Sequence, residues 1–412
     1  MAKKSTQAAA RAEIDKILEA YCPVERHRKM LDAVLPCRVD DVPETTKAQL
    51  AALRPGLPRV IVPYLGGTAG MLMDEHGHLV PTNDADRLLK PLVIKGLNGY
   101  VQVVWYPILP VALDSTNARW VHWATVGNMV KNFYDYCDGY CVVGGTDTKA
   151  ELAAAGHFMF SNLAKAVIPT GGQKPIMDLG DDTTNNLTFA ILAAASGKVA
   201  GFHVAFGNKL MHGLEVHKQK DRDFDAFACA PRHQIGHFDG DVNIYDNAPR
   251  GNLHVTSVRL EFDSRFREGV ITERISTATP TEQLLEAAKS TTCQAMLLTT
   301  FGAGNTRDQT VVEGEITHIR CLRLLHDAGY PVVLGSPMQD GVVDSPYRSG
   351  ALSVSTEEDG GSAISAGNTT GATLDVKMCR ALADGWNDED GMLNRDKFRA
   401  SMARNHCGEL MT

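Results

Sequence analysis

No part of this 412-residue chain approaches the ~20 consecutive apolar residues that a membrane helix needs; runs such as Ala190–Ala195 are far shorter. Positive charge is not in excess either. Lys and Arg number 41 against 49 Asp and Glu, a formal net charge of −8, so the surface has no long-range attraction for phosphate backbones and nucleic acid is not an expected partner. The nine cysteines contain no C-x-x-C pair, which removes the usual redox and zinc-ribbon spacings. An odd number of scattered thiols fits a reducing, cytoplasmic compartment. Three basic residues (Lys3, Lys4, Arg11) precede the first acid, Glu13, a weak likeness to an organellar leader; a frayed tail is the plainer reading. No repeat of 20–50 residues is visible.

Hydrophobic residues at 44% and charged residues at 22% describe an ordinary folded chain, long enough for two or three domains. Ala8–Tyr21 has apolar residues at helical spacing, and Val24–Val34 reads as a second helix. The Pro55–Pro58 cluster then punctuates the entry to the first strand, so residues 1–57 read as a helical extension. Beyond it, strand candidates (Val60–Tyr64, Val101–Tyr106, Gly139–Val143, Lys165–Pro169, Val199–Phe206) alternate with helix candidates (Trp120–Tyr136, Thr148–Leu163, Asn185–Ser196). That alternation predicts an α/β fold with a doubly wound parallel sheet over 58–270. A second, smaller α/β domain of the same kind is expected over 285–412, after a linker at about 265–285. Its elements are Ala295–Thr299, Gly314–Ala328, Pro331–Leu334 and Leu374–Ala383.

Three turns stand where such sheets bind ligands, directly after strands. They are Tyr64-Leu-Gly-Gly-Thr-Ala-Gly70, Asp114-Ser-Thr-Asn117 and Gly144-Gly-Thr-Asp-Thr148. Each alone is an ordinary Gly-rich or capping turn, and the first lacks the Lys of a phosphate-binding loop. Together, and with Lys218 in Gly213-Leu-Glu-Val-His-Lys218, they resemble the L-asparaginase family in its type I, cytosolic-like branch, whose pattern runs roughly Y-T-G-G-T-I-G-M, D-S-[ST]-N and H-G-T-D-T. The likeness continues through Val167–Gln173, Asp182–Leu187, Phe224–Phe227, Thr300–Asn305 and Asn405–Leu410, and spans about residues 59–412. The sequence departs from the family pattern at Leu65, Ala69, Gly144 and Asp181–Thr183. Asn368 and Gly371 stand where acids are usual, and Met338 where some members carry an allosteric Cys.

The resemblance implies an amidohydrolase that converts L-asparagine to L-aspartate and ammonia without cofactor or metal. Thr68 is then the nucleophile, with Thr146, Asp147 and Lys218 as the second catalytic cluster. His78 takes the loop position at which the family offers a Tyr, and an imidazole there suits a proton acceptor. Ser115, Thr116 and Asp147 bind the amino-acid head group, and Asn305 completes a neighbouring subunit's site, so a homodimer or homotetramer is expected. The alternative is a catalytically weak or inactive homologue serving as a structural or interaction subunit, which the 1–57 extension and the missing acids favour. His233, His237, Asp239 and Asp241 offer metal-ligand types, but Gly236 interrupts them and they read as surface residues.

Overall fold

The computed structural model describes residues 2–250, 259–290, 292–338, 341–343, 347–369, 371–388 and 391–410. Thr370, within the motif at 366–371, lies outside them. The chain divides into two units, Val34–Ser264 and Met1–Ala33 with Arg265–Thr412. Helices α1 (Ala2–Glu19) and α2 (Pro23–Asp32) therefore belong to the second unit and α3 (Glu44–Ala51) to the first. The extension expected over 1–57 is thus divided between the units rather than being one appendage.

The larger unit is built on β1 (Arg59–Tyr64), β2 (Gln102–Pro107), β3 (Gly139–Val143), β4 (Ala166–Thr170) and β5 (Gly201–Phe206). Their order in the sheet is β2-β1-β3-β4-β5, all parallel. Strands β6 (Lys209–His212), β7 (Gln234–Phe238) and β8 (Val242–Ile244) extend it with antiparallel pairing beyond β5. Every residue of β3 and β4 is buried, as a parallel strand covered on both faces requires, and such strands read as continuous apolar runs. Helices α4 (Ala85–Ile94), α5 (Trp120–Asn132), α6 (Lys149–Met159) and α7 (Thr183–Ala195) accompany the sheet. Val60, Val62, Cys141, Val143 and Ile168 share one core with Leu187, Phe189 and Ile191 of α7. The strand order reverses between β1 and β3, so a crevice opens at their carboxyl ends. Both threonine turns leave from that point.

Helix α3 explains why residues 34–57 stay with this unit. Edge strand β2 would otherwise present unpaired backbone groups. Instead Thr46 Oγ1 donates to Trp105 O at 2.8 Å, and Trp105 N–H donates to Gln49 Oε1 at 2.6 Å. Gln102 of β2 in turn binds Arg54 N and O. Replacing Gln49 by Ala leaves the half-buried Trp105 N–H without its acceptor, an expected loss of about 1–3 kcal/mol. Urea melts of the parent and Gln49→Ala measure it, and an unchanged midpoint would remove α3 from the account of edge protection.

In the second unit, β9 (Val270–Arg274), β10 (Ala295–Thr299), β11 (Val332–Gly335) and β12 (Ile364–Ser365) form a parallel sheet in sequence order. Helices α8 (Gln283–Ala287), α9 (His318–Asp327), α10 (Arg348–Val354), α11 (Gly371–Gly385) and α12 (Arg395–Ala403) surround it. Met296 and Leu298 of β10 pack with Leu322 and Leu325 of α9, while Ala295 and Leu297 pack with Leu374, Met378 and Phe398. The period-2 alternation of β10 therefore feeds two separate cores. The stretch 265–285, expected as a linker, carries β9: Val270-Ile-Thr272 is β-branched, and β-branched side chains fit a pleated strand.

Candidate active site

Three turns at the carboxyl ends of the parallel strands interlock through glycine. After β1, Gly66 and Gly67 have φ of 123° and 80°, in a region that side chains rarely enter. A Cβ on Gly67 would sit 2.2 Å from the nitrogen of Gly145, in the turn after β3. A Cβ on Gly145 would meet Ser115 Oγ at 2.3 Å. Gly67 N–H also donates to Leu113 O, just before the serine turn. Only bare backbone lets the Thr68, Thr146 and Ser115 turns come together here.

On that frame Thr68 opens a single 3-10 turn, half-buried. Lys218 Nζ donates to Thr146 Oγ1 at 2.8 Å and to Asp147 Oδ1 at 2.7 Å, joining residues 72 positions apart. Ser115 Oγ donates to Asp147 Oδ2 at 3.5 Å and accepts from Asp147 N–H at 3.3 Å. Asp114 caps the serine turn by accepting from Thr116 N–H, and Thr116 itself is exposed. Thr146 and Ser115 are buried, whereas the Asp147 side chain stays 48% exposed and open to an incoming cation. The arrangement joins a fixed ammonium, a half-open carboxylate and three hydroxyl-bearing turns: the groups that anchor an amino acid and polarise an amide. Asp182 steadies the neighbouring loop, accepting from Gln173 N–H and Lys174 N–H and from Asn186 Nδ2.

Two further expected site residues have partners of their own. His78 lies in the turn between the short paired strands Leu72–Met73 and Leu79–Val80. Its ring is 78% exposed, 3.9 Å from Asp74 Oδ2, and its N–H donates to Asp74 Oδ1. His78→Phe is accordingly expected to leave turnover and its pH profile unchanged, against the roughly 10²–10⁴-fold loss that removal of a general base causes. Steady-state rates from pH 5 to 9 decide between the two. Asn305 belongs to the C-terminal unit, where its Oδ1 accepts from Ser349 Oγ at 3.2 Å. Met338 in the same unit is exposed.

One residue at the site was not anticipated. Lys149, the first residue of α6, is buried, and its Nζ donates to Gly144 O at 3.1 Å and Thr170 O at 2.5 Å. Burial pulls its pKa down to about 7; Cys141 opposes that shift and the charge of Lys218 adds to it. A helical signal was available: Lys149, Leu152, Ala153 and Gly156 follow the i, i+3, i+4, i+7 pattern and all are buried. Lys149 also lines a cavity of about 30 Å³ with Ser115, His122, Trp123 and Leu152, room for one or two waters. A larger cavity of about 410 Å³ lies in the C-terminal unit, beside His326, Tyr330, Arg395 and Arg399, and holds none of the site's hydroxyls. His233 precedes strand β7 and His237 lies within it, with His237 Nε2 3.4 Å from Asp239 Oδ2.

Residues 59–250 match the family model described as Asparaginase, N-terminal. An L-asparaginase from Dirofilaria immitis is 28% identical over 271 residues, covering 60% of this chain and 45% of its own. L-asparaginase 1 of Escherichia coli (strain K12) is 32% identical over 169 residues, covering 41% of this chain and 50% of its own. The chain thus spans about half the length of these curated relatives. Among solved structures, the thermostable L-asparaginase from Thermococcus kodakarensis superposes with a TM-score of 0.70 at 25% identity, covering 86% of this chain and 99% of its own. No described helix is long and apolar enough to cross a membrane.

Proposed function

We propose, for a chain that carries an asparaginase-family domain over residues 59–250, that it hydrolyses the side-chain amide of L-asparagine to L-aspartate and ammonia through a threonine nucleophile. The observation that carries this reading is Lys218 Nζ bridging Thr146 Oγ1 and Asp147 Oδ1 at the switch point of the sheet. In the proposed step, Thr68 Oγ attacks the amide carbon, its proton is relayed through the Thr146 hydroxyl to the leaving nitrogen, and the C–N bond breaks with release of ammonia while the Lys218 ammonium offsets the developing negative charge. Water then cleaves the acyl-threonine ester and restores the hydroxyl. Asp147 pairs with the substrate's α-ammonium, and Ser115 with Thr116 holds its α-carboxylate. Assembly as a homo-oligomer, with Asn305 of a neighbouring copy completing the site, and a cytoplasmic setting belong to the same proposal.

A second reading, a catalytically weak or inactive homologue with a structural role, is favoured by one observation: His78 is 78% exposed and bonded within its own turn. Purified full-length protein is to be given L-asparagine and, separately, L-glutamine, with ammonia followed continuously. Turnover on the order of 10 s⁻¹, a typical enzyme value, supports hydrolysis. Ammonia below one equivalent per chain in an hour supports the second reading. The ratio of kcat/KM for the two amides reports the pocket's discrimination of one methylene, worth ~1–3 kcal/mol.

A further inference from the structure

A cluster of three histidines lies where the amide chemistry has no use for it. His157 is in the last turn of α6, His203 is on β5 and His212 ends β6. Their ring centroids are 5.0–5.5 Å apart, and one ring nitrogen of each lies within 4.8 Å of one from each of the others. We propose that His157, His203 and His212 form a binding site for a divalent transition ion of the zinc class.

Geometry and burial agree, and His212 Nδ1 accepts only a long bond from Leu214 N–H, at 3.4 Å, which it gives up on binding the ion. The centre of a triangle with 4.8 Å sides lies about 2.8 Å from each corner, and zinc–imidazole bonds are about 2.0–2.1 Å. Ring movements of under an ångström close that difference. His157 Nε2–H donates to Phe202 O at 2.7 Å and His203 Nε2–H to Ala200 O at 2.8 Å. A carbonyl can only accept, so these bonds fix the tautomer and leave Nδ1 as the lone-pair nitrogen. An N–H held by a backbone carbonyl is the usual outer support of a metal-binding imidazole. His203 is fully buried and its Nδ1 has no hydrogen-bond partner. A buried acceptor left unanswered is costly unless something fills it. Neutral imidazole is the form that binds a metal, and the water-shielded position of His203 disfavours the charged ring. Three imidazoles with neither carboxylate nor thiolate select borderline ions such as Zn²⁺ and Co²⁺ over Mg²⁺ and Ca²⁺.

The site ties the end of α6 to β5 and β6, and its predicted readout is metal content and stability, independent of amide turnover. Full-length protein stripped with a chelator and dialysed is titrated with Co²⁺. One equivalent per chain is expected, with the d–d absorption of a low-coordinate ion, displaced by Zn²⁺ and untouched by Mg²⁺. Zn²⁺ is also expected to raise the melting midpoint of the parent. His157→Asn and His212→Gln alter only partly exposed rings. Each is expected to weaken Co²⁺ binding about tenfold or more, and the double variant to abolish the Zn²⁺ stabilisation while its circular dichroism matches the parent. Undiminished Co²⁺ binding in the double variant would place the ion on other histidines, such as His233 or His237, and overturn the proposal. So would the absence of any Zn²⁺ effect on the parent's melting midpoint, a test that requires no variant to fold.

Discussion

Thr68→Ala is expected to abolish ammonia release, a loss of roughly 10⁴-fold or more, the scale seen when a hydrolase loses its nucleophile. The half-buried hydroxyl sits in a turn whose shape is fixed by Gly66, Gly67 and the bond from Gly67 N–H to Leu113 O. Removing the hydroxyl and the methyl of this half-buried side chain therefore leaves the backbone as it is, and stability should move by no more than about 0.5 kcal/mol. Thr146→Ala is the necessary partner experiment. It leaves Lys218 Nζ with Asp147 alone, so it should slow the reaction without removing the acyl acceptor. An acyl intermediate trapped on Thr146, or full turnover in Thr68→Ala, reverses the assignment of the two threonines. Lys218→Met should be nearly as damaging as Thr68→Ala, because it removes the cation that holds Thr146 Oγ1.

The parallel part of the fold was legible because its strands are continuous apolar runs and its helices are amphipathic. Gly139–Val143 and Ala295–Thr299 coincide with observed strands, and the expected helix at Trp120–Tyr136 begins where α5 does. The antiparallel strands β6, β7 and β8 were not, since Lys209–His212 and Gln234–Phe238 mix polar and apolar residues in runs too short for a clear period. Thr146, Asp147, Ser115 and Lys218 were legible as motifs, and the structure brings them together. Lys149 was masked by its own chemistry, since a lysine in a first helical turn reads as solvent-facing. His78 is exposed and bonded within its own hairpin turn, a placement that ring chemistry suited to a base does not reveal. The division of residues 1–57 was equally hidden, because it depends on which unit offers Thr46 and Gln49 a backbone to bond, and that is a tertiary fact.

The C-terminal motif Asn405–Leu410 leads to the second large effect. Glu409 is fully buried and paired with Lys377 of α11 at 3.0 Å, both side chains shielded from water. Burial pushes the carboxyl's pKa up. The N–H groups of His406 and Cys407, together with Lys377, outweigh that push and hold it below the ordinary carboxylate value. Lys377→Met keeps most of the volume and removes the charge, which leaves a buried carboxylate without its cation. The expected cost is about 3–5 kcal/mol, the range for breaking one side of a buried pair. Lys377→Met with Glu409→Gln should recover much of it, because the uncompensated charge is gone. The pH dependence has a definite sign. In the parent, the depressed carboxyl gives stability that is complete above its unfolded value near 4.5 and is lost as pH falls through the folded one. In Lys377→Met burial acts unopposed by the ammonium and raises the folded pKa, so protonation relieves the buried charge and the deficit against the parent shrinks as pH falls from 7 toward 4.5. Urea melts of parent, single and double variants at those two pH values read all of these quantities. A deficit that stays constant with pH would mean that Lys377 contributes by packing its methylenes rather than by holding the charge of Glu409.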